Sequence, residues 1–245
     1  MTDEGRFREV VKLVLAEQSL DSGIGTLSEK AMHRTIKLYI EPRADRHEVA
    51  VGDYVADVLN ERGIFEIQTG ELSVLRPKLE KFLTQYPVTV VHPIPLKWRV
   101  KWVDAVSGDI TSTGRQITGN GIYSAGYGLF KLRDILLREG FSVLLLTLSV
   151  DEYRKRIEKR RCGEIRRIER IPRELLGCTV LKCKEDYLAF LPDCLGDSFT
   201  CAEYLKGIRA RSRYDQYCLR LLCELGLLER EKDGKRYIYR RKKND

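Results

Sequence analysis

Residues 52–69 hold the side chains best suited to chemistry: Asp57, Glu66 and Gln68. Side chains alternate faces along a strand, so Glu66 and Gln68 share one face. Asn60, Glu61, Arg62 and Gly63 form a turn between two strand-like runs. If Glu61 and Arg62 make a two-residue loop, Asp57 lies directly opposite Glu66. If Gly63 forms a bulge instead, the register slips by one and the twist of the bulge must restore the approach. In the first register two carboxylates and an amide gather on one surface. Two carboxylates that close repel unless a cation sits between them, and all-oxygen donors suit Mg²⁺ or Mn²⁺. A solvated strand face is the plainer alternative. Against it, Ala56, Val58, Ile64, Phe65 and Ile67 make the hairpin central, where acidic side chains are costly without a task.

The elements that must position these residues follow from periodicity. A helix is predicted over 1–20, with Val10, Leu13 and Val14 on one side. A second opens at Ser28 with Leu27 and Met32 as a hydrophobic staple. It carries Met32, Ile36 and Tyr39 at i, i+4 and i+7 and stops at Glu41-Pro42. Strands are predicted near 47–52, 53–60 and 64–69. A helix over 74–85 shows Leu75, Leu79, Phe82 and Leu83 as its stripe, with Pro77 in the first turn. A short strand at 88–91 is closed by Pro93 and Pro95. Another at 97–103 sets Lys97, Arg99 and Lys101 against Trp98, Val100 and Trp102. Residues 108–128, with six glycines and Arg115, read as a mobile loop. A helix near 128–139, a strand at 142–149 and a charged helix near 151–161 follow. Residues 151–173 mix ten bases with five acids and read as a salt-bridged, exposed helix.

The pattern Asp57…Glu66-x-Gln68 on a hairpin, after a helix carrying Glu29 and before a helix and a strand, resembles the PD-(D/E)xK nuclease superfamily. Ala56 stands where the motif has Pro, and Gln68 where most members have Lys. The resemblance covers about residues 26–95. It implies an α/β (α+β) fold with a restriction-endonuclease-like αβββαβ core and a mixed central sheet. It further implies metal-assisted phosphodiester hydrolysis, with Mg²⁺ or Mn²⁺ on Asp57, Glu66 and the Ile67 carbonyl. Gln68 would orient water, and Glu29 and Glu48 would act as outer carboxylates. Lys78, Lys81 and Gln85, at i, i+3 and i+7, would face the nucleic-acid backbone. Many relatives cut duplexes as dimers, so a homodimer is one expected assembly. His47, beginning a strand, is near enough in sequence to reach the site; His33 and His92 read as surface or core residues.

The last fifty residues change character. Thr200 with Glu203, and Ser212 with Asp215, open two short helices, the second closed by Gly226. A hairpin with an Asp233-Gly234 turn follows. This order is that of a small C-terminal winged helix-turn-helix domain. Its second helix would bury Cys218, Leu221, Leu222 and Leu225 and present Arg213, Gln216, Tyr217 and Arg220 to DNA. Residues 197–245 hold 13 Lys and Arg against 8 Asp and Glu. Lys235 and Arg236 on the wing would add phosphate contacts. The expected division is a helical extension at 1–25, a nuclease-like domain at 26–150, a charged helical connector at 151–196 and the winged helix at 197–245.

The composition is compatible with this. The 245 residues carry 44 Lys and Arg against 36 Asp and Glu, a net charge of +8 that suits a nucleic-acid partner. The expected partner is DNA, with RNA as the alternative. No apolar run approaches the ~18 residues of a membrane span. No secretory signal is read at the N-terminus, and the seven cysteines lack Cys-x-x-Cys spacing, so reduced thiols in a cytoplasmic setting are expected. The competing expectation is a catalytically inactive nuclease-fold protein that serves as a DNA-binding regulator or an assembly component.

Overall fold

The computed structural model describes residues 3–20, 31–104, 107–157 and 164–242. The chain is a mixed α+β protein with a mixed central sheet. Its elements begin with α1 (Glu4–Leu20), α2 (Ala31–Ile40), β1 (His47–Val51), β2 (Tyr54–Asn60), β3 (Gly63–Ile67) and α3 (Arg76–Phe82). Then come β4 (Val88–Val103), β5 (Ile110–Thr118), α4 (Gly126–Lys131), β6 (Phe141–Ile157) and β7 (Glu164–Leu181). The last are β8 (Ser198–Thr200), α5 (Cys201–Gly207), α6 (Tyr217–Glu224), β9 (Leu228–Asp233) and β10 (Arg236–Arg241). The seven-stranded sheet runs β1-β2-β3-β4-β6-β7, with β5 paired to β4. The strands β2 and β3 are antiparallel, and β3 and β4 are parallel, with α3 as the connection between them. A three-stranded sheet, β8-β10-β9, accompanies α5 and α6.

The β2–β3 register settles the sequence alternatives. Asn60 pairs with Gly63, Leu59 with Ile64 and Val58 with Phe65, so Glu61 and Arg62 are the loop and there is no bulge. Every residue of β3 is buried, as befits a strand with neighbours on both edges. Gly63 is needed for a local reason: its φ is +109°, and a Cβ there would stand 2.3 Å from the Pro87 carbonyl oxygen.

The chain forms two compact units, with β4, β6 and β7 passing from one to the other. The first comprises residues 1–47, 95–119 and 146–178. Its small core gathers Val14, Ala31, Tyr153 and Ile171. The second comprises 48–94, 120–145 and 179–245. There Ala56, Ile64, Leu79 and Val90 share one core with Leu145, Tyr187, Phe199, Tyr204, Leu221 and Tyr239. The C-terminal segment, expected as a domain of its own, therefore packs into the same core as the β2–β3 hairpin. Gly126 of α4 makes that packing close, since a Cβ there would stand 2.2 Å from Cys218 Sγ of α6.

Four sequence expectations need correction. The charged stretch after residue 150 is strand over 151–157 and 164–181, not a helical connector, and 158–163 lie outside the described residues. Its charges are matched across strands: Arg173 holds Asp151 at 2.7 Å and Arg170 holds Glu152 at 2.7 Å. Such pairs satisfy a sheet as well as a helix. Residues 108–128 are not a loop but β5, a 3-10 turn and α4, because Ile110, Thr111, Thr113, Ile117 and Thr118 favour extended chain. Pro93 and Pro95 do not end a strand. They fall in β4 between its ladder to β3, over 88–91, and its ladder to β5, over 97–103. The predicted helix at 128–139 is shorter, ending as α4 at Lys131. The expected helix start at Ser28 lies outside the described residues.

Gly63→Ala should lower stability by about 2–5 kcal/mol, from a left-handed φ combined with overpacking against Pro87. Urea denaturation of the variant beside wild type checks this; an unchanged midpoint would contradict the reading.

Candidate functional site

The β2–β3 pairing puts Asp57 and Glu66 side by side, and each carboxylate is fixed by the other's strand. Asp57 Oδ2 accepts from the Ile67 amide at 2.7 Å, and Glu66 Oε1 accepts from the Asp57 amide at 3.2 Å. Paired residues share a face. Asp57 and Glu66 therefore lie on the face of Leu59 and Ile64, which packs in one cluster with Leu79 and Phe82 of α3.

That helix supplies a cation. Lys78 Nζ lies 2.6 Å from Glu66 Oε2, with its side chain 19% exposed and that of Glu66 only 1%. The ammonium is also 5.5 Å from the Phe82 ring centroid, one helical turn away. Despite this partner, the Glu66 carboxyl is pushed up to about 7, first by burial and then by the Asp57 charge, against which Lys78 pulls down.

The remaining expected residues are distributed around this pair. Gln68 continues β3 past Ile67, but its Nε2 donates to the Glu71 carbonyl at 2.8 Å rather than into the carboxylate pair. Its own carbonyl accepts from half-buried His92 Nδ1 at 2.6 Å, and loss of solvent around the ring lowers the His92 pKa. Glu48 is exposed in β1 with φ +52°. Among the described residues no group of three or more His, Cys, Asp and Glu side chains gathers in a metal-binding arrangement, so Glu48 does not join Asp57 and Glu66. Glu29 lies outside the described residues. His47 Nε2 donates to the Glu41 carbonyl at 2.7 Å.

The expected basic ridge of α3 divides. Lys78 turns inward to Glu66, while Lys81 and Gln85 are exposed. Arg213 and Arg220 are exposed on the segment that includes α6, and Gln216 is half-buried. Lys235 and Arg236 are exposed at the β9–β10 turn. The expected caps form: Thr200 with Glu203, and Ser212 with Asp215, each make a reciprocal capping box.

Sequence reasoning placed Lys78 on a phosphate-facing ridge and missed it as a member of the carboxylate site. The signal was its i, i+4 relation to Phe82, which sets it on the border of the buried stripe.

A hard divalent cation fits this donor set. Two adjacent carboxylates next to the Ile67 peptide are donor types that a Mg²⁺-type ion takes, its other positions going to water and phosphate. No helix among the described residues is long and apolar enough to cross a membrane.

Comparison with known proteins gives the class first. The chain belongs to the family described as a domain of unknown function, DUF8091, whose model matches residues 30–182, a span that includes the whole β1–β4 segment. It is also similar to an uncharacterized protein of Treponema pallidum (strain Nichols), 35% identical over 82 residues. That match covers 33% of each chain, so this chain spans about a third of the relative's length. No solved structure gives a significant match.

The Glu66 titration has a definite sign. Its folded pKa is raised, so its contribution to stability is fully present below the ordinary value of 4.5 and is lost as pH rises through about 7. Wild type should lose up to about 3 kcal/mol relative to Glu66→Gln across that window. Denaturation midpoints of both proteins at a series of pH values test it; parallel pH curves would contradict the raised pKa.

Proposed function

We propose that this chain is a divalent-metal-dependent, nuclease-like protein that hydrolyses phosphodiester bonds in DNA. In this reading α2, β1, β2, β3, α3 and β4 constitute a restriction-endonuclease-like αβββαβ core. The β8, α5, α6, β9 and β10 segment constitutes a winged helix that holds the DNA. One observation carries the proposal: Asp57 and Glu66 meet on a central hairpin under α3, with the Lys78 ammonium 2.6 Å from Glu66.

When bound, Mg²⁺ or Mn²⁺ would polarise the scissile phosphate and make a water easier to deprotonate. Asp57 and Glu66, with the Ile67 carbonyl, would hold the ion. Asp57 keeps its orientation through the Ile67 amide, so the carboxylate costs little reorganisation when it binds. Glu66 can hold a proton near neutrality. Lys78 supplies the positive charge that Gln68 lacks, and its move from Glu66 to a phosphate oxygen would neutralise charge developing at phosphorus. Gln68 braces the strand end through Glu71 and His92 rather than orienting water. Arg213, Gln216, Arg220, Lys235, Arg236 and Lys81 would contact the backbone and grooves of DNA.

The same ion pair favours a second reading. If Lys78 stands permanently in place of the cation, the protein is an inactive nuclease-fold regulator or assembly component.

Labelled single- and double-stranded DNA and RNA, incubated with Mg²⁺, Mn²⁺ or EDTA, separate the two. Wild type should cleave DNA only with metal. Lys78→Met should lose about 10²–10³-fold in rate, as for the removal of one preorganised charge, and Asp57→Asn at least as much. Binding of DNA without cleavage under any metal would establish the regulator instead.

A further inference from the structure

A second charged surface lies in the same compact unit, at the seam of α4 and α6, and it is built from aromatic rings as well as cations. Tyr127 and Phe130 of α4 meet Tyr217 at centroid distances of 4.7 and 5.3 Å, and Tyr214 adds to Tyr127 at 4.9 Å. Each of these four rings carries a cation over its face. Lys131 sits 4.4 Å from Tyr127 and Arg133 4.8 Å from Phe130. Arg213 lies 5.1 Å from Tyr214 and Arg220 4.8 Å from Tyr217.

Three acids around the seam are engaged, Glu71 by Lys131 itself. Asp134 is paired with Arg76, and Glu71 holds Lys131 at 3.0 Å. Asp215 is buried and accepts the amides of Arg211 and Ser212 at 2.7 and 3.0 Å. The three arginines are exposed, and Tyr214 is 43% exposed although nothing in a purely structural seam requires an open ring. Phosphate contacts need only charge; rings and planar guanidinium groups laid out together also suit the faces of unpaired bases.

We propose that this seam binds single-stranded DNA, with bases stacking on the Tyr214 and Tyr217 rings and the Arg213 and Arg220 planes while the strand's phosphates follow the same cations. The inference rests on the nucleic-acid reading above and narrows it: the DNA preferred by the protein would contain an unpaired stretch.

Fluorescence anisotropy with labelled oligothymidylate and a duplex of equal length tests it on the full chain. Wild type should bind the single strand more tightly. Tyr214→Ala should weaken that binding about 5- to 100-fold, the range for loss of one stacked base, and leave duplex binding unchanged. Tyr214→Phe should retain wild-type affinity, because the ring stays and the exposed position tolerates loss of the hydroxyl. Arg220→Lys keeps the charge but loses the plane, and should weaken the single strand more than the duplex. Equal single-strand affinity in wild type and Tyr214→Ala, or no preference over duplex, overturns the proposal while leaving a duplex-binding protein intact. If neither polymer binds, this proposal and the nucleic-acid reading fall together.

Discussion

A glutamate buried in the middle of the sheet is the constraint on which the second compact unit turns. Glu66 is 1% exposed, faces a second carboxylate, and has the Lys78 ammonium 2.6 Å away. An ionised carboxylate in such a place is expensive unless it is hydrogen-bonded and paired. The local structure reflects that demand. The two-residue loop fixes the register that brings Asp57 opposite, and backbone amides of each strand bond to the other's carboxylate. The parallel crossover sets α3 where Lys78 can reach.

The surrounding packing is organised to keep that pair in place. Leu79 and Phe82 bury one stripe of α3 against the face of Ile64, and Lys78 follows at the border of that stripe. Gln68 and His92 hold the end of β3 beside β4 through backbone contacts. The C-terminal helices enter the same core, with Gly126 allowing α4 and α6 to touch. A nucleic acid held by the C-terminal segment would thus be held by a part of the unit that contains the carboxylates.

Much of this was legible in the sequence wherever one local signal determined the outcome. The hairpin at Asn60–Gly63, Pro77 in the first turn of α3, the two capping boxes and the element order from α2 to β4 depend on near neighbours, and all of them form. Long-range pairing was less legible. Charges at 151–173 fit a helix until Arg170 and Arg173 are seen to reach Glu152 and Asp151 on another strand. The prolines of β4 looked like stops because the change of partner strand between them has no local mark. In the site itself Asp57 and Glu66 could be paired by register arithmetic. Lys78 could not, since its position depends on how α3 lies on the sheet.

The central proposal is that Asp57 and Glu66 receive a divalent cation. Isothermal titration of Mn²⁺ into the protein at pH 7, in buffers of different ionisation enthalpy, tests it most directly. With the Glu66 carboxyl near 7, binding should release about half a proton per site. The release should vanish in Glu66→Gln, along with most of the affinity. Absence of binding, or binding that Glu66→Gln leaves unchanged, would contradict the account.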